Sequence, residues 1–149
     1  AENISWTASA LQNHIPVTFH QDTPVILPDM LESVWTAVNR ITKNEIVLGE
    51  QQRISVLEAL KAVTINAAYQ YFEEDRKGTL EAGKLADLVI LSEDPLQADP
   101  MKLRDIQVMR TIKEGSTLYT RENCQYRIKR RVNETEKNDV KNRQHVCFL

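Results

Sequence analysis

The 149 residues carry 19 Lys and Arg against 21 Asp and Glu, a formal net charge of −2, with 42% hydrophobic and 27% charged residues. This is the composition of a globular chain long enough for one domain, whose core buries about two-thirds of the unfolded surface. It excludes a transmembrane helix, which needs about 18 consecutive apolar residues, and shows no basic-then-apolar leader at the N-terminus; a cytoplasmic location is favoured over a periplasmic or secreted one, and no membrane partner is expected.

The first element in chain order is a short helix near residues 5–13, where Ile4, Ala8 and Leu11 share a face and Ser5 stands at the cap position. Residues 15–19, "IPVTF", form a strand, and its carboxyl end runs into His20 and Asp22 before Pro24. That pattern reads as a metal or catalytic site, or as a polar turn capped by an aspartate. A helix over 29–42 follows, with Pro28 near its first position, Asp29 and Glu32 in its first turn, and Leu31, Val34, Trp35, Val38 and Ile41 as its apolar stripe. Trp35 is expected in the core, as are Tyr69 and Tyr71 further on.

After a loop at "KNEIVLGEQQ", the Ser55–Glu58 capping box opens a helix over 55–71. "ADLVILS" is an apolar run of the kind buried on both faces of a sheet. Asp87 inside it needs a structural partner, Lys84 or a backbone N–H, because an unpaired carboxylate among apolar neighbours is costly. Gly78 and Gly83 read as positive-φ turn positions, and Leu85 after Lys84 excludes a phosphate loop. "DPLQADP" holds two Asp-Pro turns. "IQVMRTIKEGSTLYT" alternates up to Glu114-Gly115 and returns from Thr117 to Tyr119, a hairpin.

From residue 121 the periodicity fails, and 121–149 is expected to be mostly disordered or weakly helical. This tail has a net charge of +4 and residues 1–120 have −6. Its basic groups alternate with acids, and Tyr126 is its only aromatic ring apart from Phe148, so nucleic-acid binding is not expected. Cys124 and Cys147 do not make a disulfide framework.

The segments "HQDTPV", "AVNRIT", "GEQQRISVLEALKAVTINAAY" and above all "KGTLEAGKLADLVIL" together resemble the C-terminal part of metal-dependent amidohydrolases. The likeness runs over roughly residues 4–119 and is strongest to the YtcJ-like subgroup, which includes proteins called exoenzyme regulatory protein AepA. It implies a mixed α/β fold: the last strand and helices of a (β/α)8 barrel in 1–75, and the C-terminal strands of a composite β-sandwich in 76–120. Barrel active sites lie at the carboxyl ends of strands.

Asp22 matches the family's last-strand aspartate. The resemblance makes it both a ligand to a divalent metal, zinc first, and the group that takes a proton from metal-bound water and gives it to the departing nitrogen of an amide or cyclic amide. His20 would either orient Asp22 from behind or stand as an ordinary polar residue at the strand's end, the second being favoured. The family's first-strand H-x-H pair, bridging lysine and two mid-barrel histidines have no counterparts; the three histidines are His14, His20 and His145.

The expectation is therefore the end of a longer hydrolase, inactive alone and without a tight metal of its own. Its partners would be the missing N-terminal part or, through open strand edges, a second copy. The alternative is a non-catalytic regulatory or interaction module.

Overall fold

The computed structural model of the chain describes residues 4–121 and the backbone of 145–147. Helix α1 spans Thr7–Gln12. Trp6 holds its cap position with no side-chain cap, while the expected cap residue, Ser5, sits at φ +50 with its carbonyl taken by Thr7 N–H.

Helix α2 spans Met30–Asn39, shorter at both ends than its apolar stripe suggests. Asp29, expected in the first turn, is the N-cap instead, its Oδ1 accepting from Leu31 N–H (3.0 Å) and Glu32 N–H (3.3 Å). At the other end Arg40 adopts the left-handed conformation, and Ile41 turns back to bridge Val47. Of the stripe, Val34 and Trp35 are buried, and Leu31, Val38 and Ile41 pack half-buried around them.

The helix expected over 55–71 is two helices, α3 Val56–Ala62 and α4 Ile65–Gln70. Ser55 caps α3 by accepting from Glu58 N–H, as the capping box requires. The break falls on Val63-Thr64, where Thr64 Oγ1 donates to Leu60 O (2.8 Å) and competes with the backbone ladder. The change of direction carries Tyr69 and Tyr71 out of the core into solvent and leaves Ala68 as the one buried residue of α4.

Strand β1 spans Leu88–Leu91, β2 Val108–Lys113, β3 Ser116–Thr120 and β4 His145–Cys147. They form one antiparallel sheet in the order β3-β2-β1-β4. β1 is buried fully at Val89 and Leu91 and half at Leu88 and Ile90, so the apolar run marks one covered face where two were expected. β4 overturns the expectation of an irregular tail at 145–147: its backbone pairs with β1, Ile90 opposite Val146. The remainder of that expectation, 122–144 and 148–149, lies outside the described residues.

The second Asp-Pro turn opens a 3₁₀ helix at Pro100–Asp105, capped by Asp99, which packs on α2. Trp35 Nε1–H donates to Met101 O (2.9 Å), Asn39 Nδ2 donates to Pro100 O (2.9 Å), and the Arg104 guanidinium lies 4.2 Å above the Trp35 ring. Val34, Trp35 and Ala37 of α2, Ile54 just before α3 and Ala59 within it thus share one cluster with Val89, Leu91, Leu103 and Ile106.

Candidate functional site

The segment that carries the candidate residues is fastened by side chains and forms no ladder. No strand is formed at 15–19: a barrel strand needs neighbours on both sides, and no described segment lies alongside to bond it. Instead Asn66 Nδ2 donates to Val17 O (3.0 Å) and Thr18 Oγ1 to Gln70 Oε1 (2.9 Å), both from the α4 region. Val17 and Phe19 are half-buried, and Phe19 packs on the core. His20 is exposed, Gln21 is buried, and Asp22 is exposed again.

Asp22 lies in the left-handed region at φ +52, and its carbonyl accepts from Val25 N–H (2.8 Å), which closes a turn. Residues 22–29 are exposed throughout, with Val25, Ile26 and Leu27 presenting aliphatic side chains to solvent. The ends of this loop are held together by Gln21. Its Nε2 donates to Asp29 O, and its Oε1 accepts from Asp29 N–H, so one amide side chain makes a two-point pair with one backbone residue. Sequence reading passed over Gln21 because a polar residue between two ionisable ones carries no periodic signal. The available signal was the alternation from Phe19 to Asp22, which turns Gln21 inward.

Beside this loop a cavity of about 550 Å³ opens between α1, residues 17–21 and α2, with Trp6, Phe19, His20, Gln21, Thr36 and Arg40 among its walls. The Arg40 guanidinium is occupied there by the carbonyls of Ile4, Ser5 (3.2 Å) and Leu48 (2.6 Å). Burial pulls its pKa below the ordinary arginine value. Asn39 is likewise taken up by Trp35 O and Pro100 O, so both residues serve the scaffold.

No hydrogen bond joins the His20 imidazole to the Asp22 carboxylate among the described residues. Nor do those residues gather three or more His, Cys, Asp or Glu side chains in a group that could hold a metal ion. The described side chains do not by themselves fit a divalent metal, which needs four ligands when it is zinc. Asp22 therefore stands as a single carboxylate with no side-chain partner among them.

Asp87 is used differently. It accepts from Lys113 Nζ (2.5 Å) and from Glu114 N–H (2.8 Å), which ties the β2–β3 turn to the start of β1. The Lys113 hydrogen bond, helped by the Glu114 N–H, holds the Asp87 carboxyl below its usual range, and Asp87 in turn raises the Lys113 ammonium. The backbone N–H expectation is met, and the lysine is Lys113 where Lys84 was expected. Lys84 bonds Glu74 O (2.7 Å), Thr79 Oγ1 (2.6 Å) and the Glu81 carboxylate. Gly78 and Gly83 have φ +93 and +96, as the turn reading required.

The Amidohydrolase family matches residues 1–119. Over 113 residues the chain is 34% identical to an N-substituted formamide deformylase of Arthrobacter pascens, covering 76% of this chain and 21% of that protein. It is 30% identical over 101 residues to the YtcJ protein of Bacillus subtilis, covering 66% of this chain and 19% of that protein. Its fold is similar to the crystal structure of an amidohydrolase from Thermotoga maritima, with a TM-score of 0.56, 28% identity, and coverage of 77% of this chain and 26% of that one. The chain spans about a fifth of the length of these curated relatives. A match that takes in α1 to α4 and the strands β1 to β3 makes this chain a member of the Amidohydrolase family.

Proposed function

We propose that the chain is the C-terminal portion of a hydrolase acting on C–N bonds in amides or cyclic amides, and that Asp22 is its reactive carboxylate. The observation that carries this reading is the state of Asp22 itself. It is exposed, held at the base of a closed loop, and without a side-chain partner among the described residues, inside a segment that the family match includes. Such a carboxylate can accept a proton from an attacking water and return it to the departing nitrogen.

The metal that the resemblance implies, zinc first, would take its remaining ligands from the rest of the parent protein, and the 149-residue chain alone would be inactive. The deformylase relative makes N-substituted formamides the first substrates to try. Asp22→Asn, introduced in the longer protein that contains this segment, should lower amine release by about 10²–10⁴-fold with the fold intact by circular dichroism. Wild-type rates in that variant would remove Asp22 from the mechanism.

A second reading, a non-catalytic interaction module, is favoured by the aliphatic and aromatic side chains at Val25, Leu27, Tyr71 and Phe72, all well exposed. In the same setting β3 is an edge strand with no charged residue and all five residues exposed, the kind of edge that pairs with another chain. Self-association through it would appear in sedimentation equilibrium as an apparent mass rising with concentration. A constant monomer mass would rule that contact out.

A further inference from the structure

Resting on the reading of Asp22 as the reactive carboxylate, we propose that Gln21 is its positioning residue, a neutral latch that fixes the backbone from which the Asp22 side chain projects. Three observations combine. Gln21 is buried although it is polar, and a buried amide is tolerated only when its donor and acceptor are both satisfied. Both are satisfied by one residue, Asp29, through its N–H and its carbonyl. Because an N–H can only donate, the orientation of the amide is set: Oε1 faces Asp29 N–H and Nε2 faces Asp29 O.

Asp29 is itself anchored. Its own carboxylate caps α2, so the latch fastens the loop to the end of a helix whose Val34 and Trp35 lie in the core. Among the described residues the loop from 22 to 28 has no other hydrogen bond across its base. Within it only the Asp22 O to Val25 N–H bond and the Thr23 Oγ1 to Ile26 O bond (3.2 Å) are local. Asp22 is the first residue beyond the latch, in a left-handed conformation that a free non-glycine chain disfavours. With Gln21 pinned on one side and the turn closed on the other, the Cα–Cβ bond of Asp22 has one direction. Without the latch the loop swings about its exposed ends and carries the carboxylate with it.

A neutral amide also suits the task. Ionisable groups already crowd the place: His20, Asp22 and Asp29 belong to the segment, and Glu32 of α2 and Arg40 at its C-cap line the adjoining cavity. A charged latch would add one more charge to this group, whereas the glutamine amide donates and accepts without carrying any.

The test uses the full 149-residue chain and nuclear magnetic resonance, so it does not depend on activity. The readouts are hydrogen exchange of the Asp29 amide and the ¹⁵N order parameter of the Asp22 N–H. In wild type we expect a protected Asp29 amide and an Asp22 order parameter of about 0.85. In Gln21→Met, similar in size and without the latch, the order parameter should fall below about 0.6 while core amides stay protected.

Gln21→Glu supplies the second arm. Ionised, it has no proton for Asp29 O; protonated, it can donate again. Closure therefore favours the neutral acid and raises that carboxyl above its ordinary value, so the variant should be loose at neutral pH and regain order on acidification, measured against the wild-type profile as baseline. An Asp22 that stays ordered in Gln21→Met while the Asp29 amide opens would overturn the proposal. So would a Gln21→Glu profile that follows wild type, which keeps the question decidable even where Gln21→Met fails to fold. An inactive Asp22 would instead overturn the reading on which this rests and leave the latch itself standing.

Discussion

Two loops of this chain stand beside an aspartate from the family-like segments, and they are tied down in opposite ways. The β2–β3 turn is tied by the aspartate: Asp87 reaches from the start of β1 and accepts from Lys113 Nζ and Glu114 N–H, one oxygen for each. The 22–28 loop is tied by a neighbour: Gln21 makes the bonds, and the Asp22 side chain makes none among the described residues. A carboxylate that holds structure has its proton affinity set by the partners it holds. A carboxylate left free keeps its oxygens for chemistry, and the loop that bears it needs a substitute tie. The same residue type in two family-like segments therefore reads as scaffold in one place and as candidate chemistry in the other.

The comparison sharpens first at the turn that leads to Asp87, where the largest effect is expected. Gly78 and Gly83 share a positive φ that costs an alanine about 1–3 kcal/mol. At Gly83 an added Cβ would meet nothing within 4 Å, but at Gly78 it would stand 2.9 Å from both the Ala68 Cβ and the Ile65 Cα of α4. The second of these is backbone and cannot step aside. Gly78→Ala should therefore destabilise by a further about 1–3 kcal/mol beyond Gly83→Ala, read as the difference in urea midpoints at equal slope. Equal losses would mean that the Asp87 side of the molecule is not held by close packing on α4, and the contrast with the loosely covered Asp22 loop would weaken.

How much of this was legible in the sequence depends on how local each cause is. The Ser55 cap, the existence of strand β1 and the Glu114-Gly115 turn were read correctly because each is decided within a few residues, whereas the number of covered faces of β1 depends on what packs against it. The break at Thr64 was missed because a hydroxyl bonding Leu60 O leaves the apolar spacing of the helix untouched. Residues 15–19 were read as a strand from their composition, yet a strand exists only with a partner, and partners are non-local. The latch at Gln21 and the choice of Lys113 over Lys84 as the Asp87 partner fail for the same reason. Gln21 finds its bonds eight residues away, and Lys113 lies 26 residues beyond Asp87. Asp22 was singled out by its place after the apolar run, but only the resemblance favoured the reactive reading, since nothing in its own neighbourhood separates a reactive aspartate from a turn-forming one.

The smallest effects decide the comparison between the two carboxylates themselves. Asp87 has a depressed pKa in the folded chain, first because Lys113 hydrogen-bonds it. A depressed folded pKa means that Asp87 contributes stability above the ordinary aspartate value of about 4, and that this contribution disappears as the pH falls through the lower folded value. Lys113 has the mirror behaviour: its raised pKa adds stability below the ordinary lysine value of about 10.4, lost as the pH climbs through the folded one. Asp87→Asn should therefore flatten both limbs of the stability–pH curve at once, since one partner's removal ends the other's shift. Asp22→Asn, at an exposed side chain with no partner among the described residues, should change stability by no more than about 0.5 kcal/mol, measured by urea titration at neutral pH. A loss as large as that of Asp87→Asn would make Asp22 a structural carboxylate after all. A small change, with the catalytic loss expected in the longer protein, separates the two tasks that the sequence wrote with one letter.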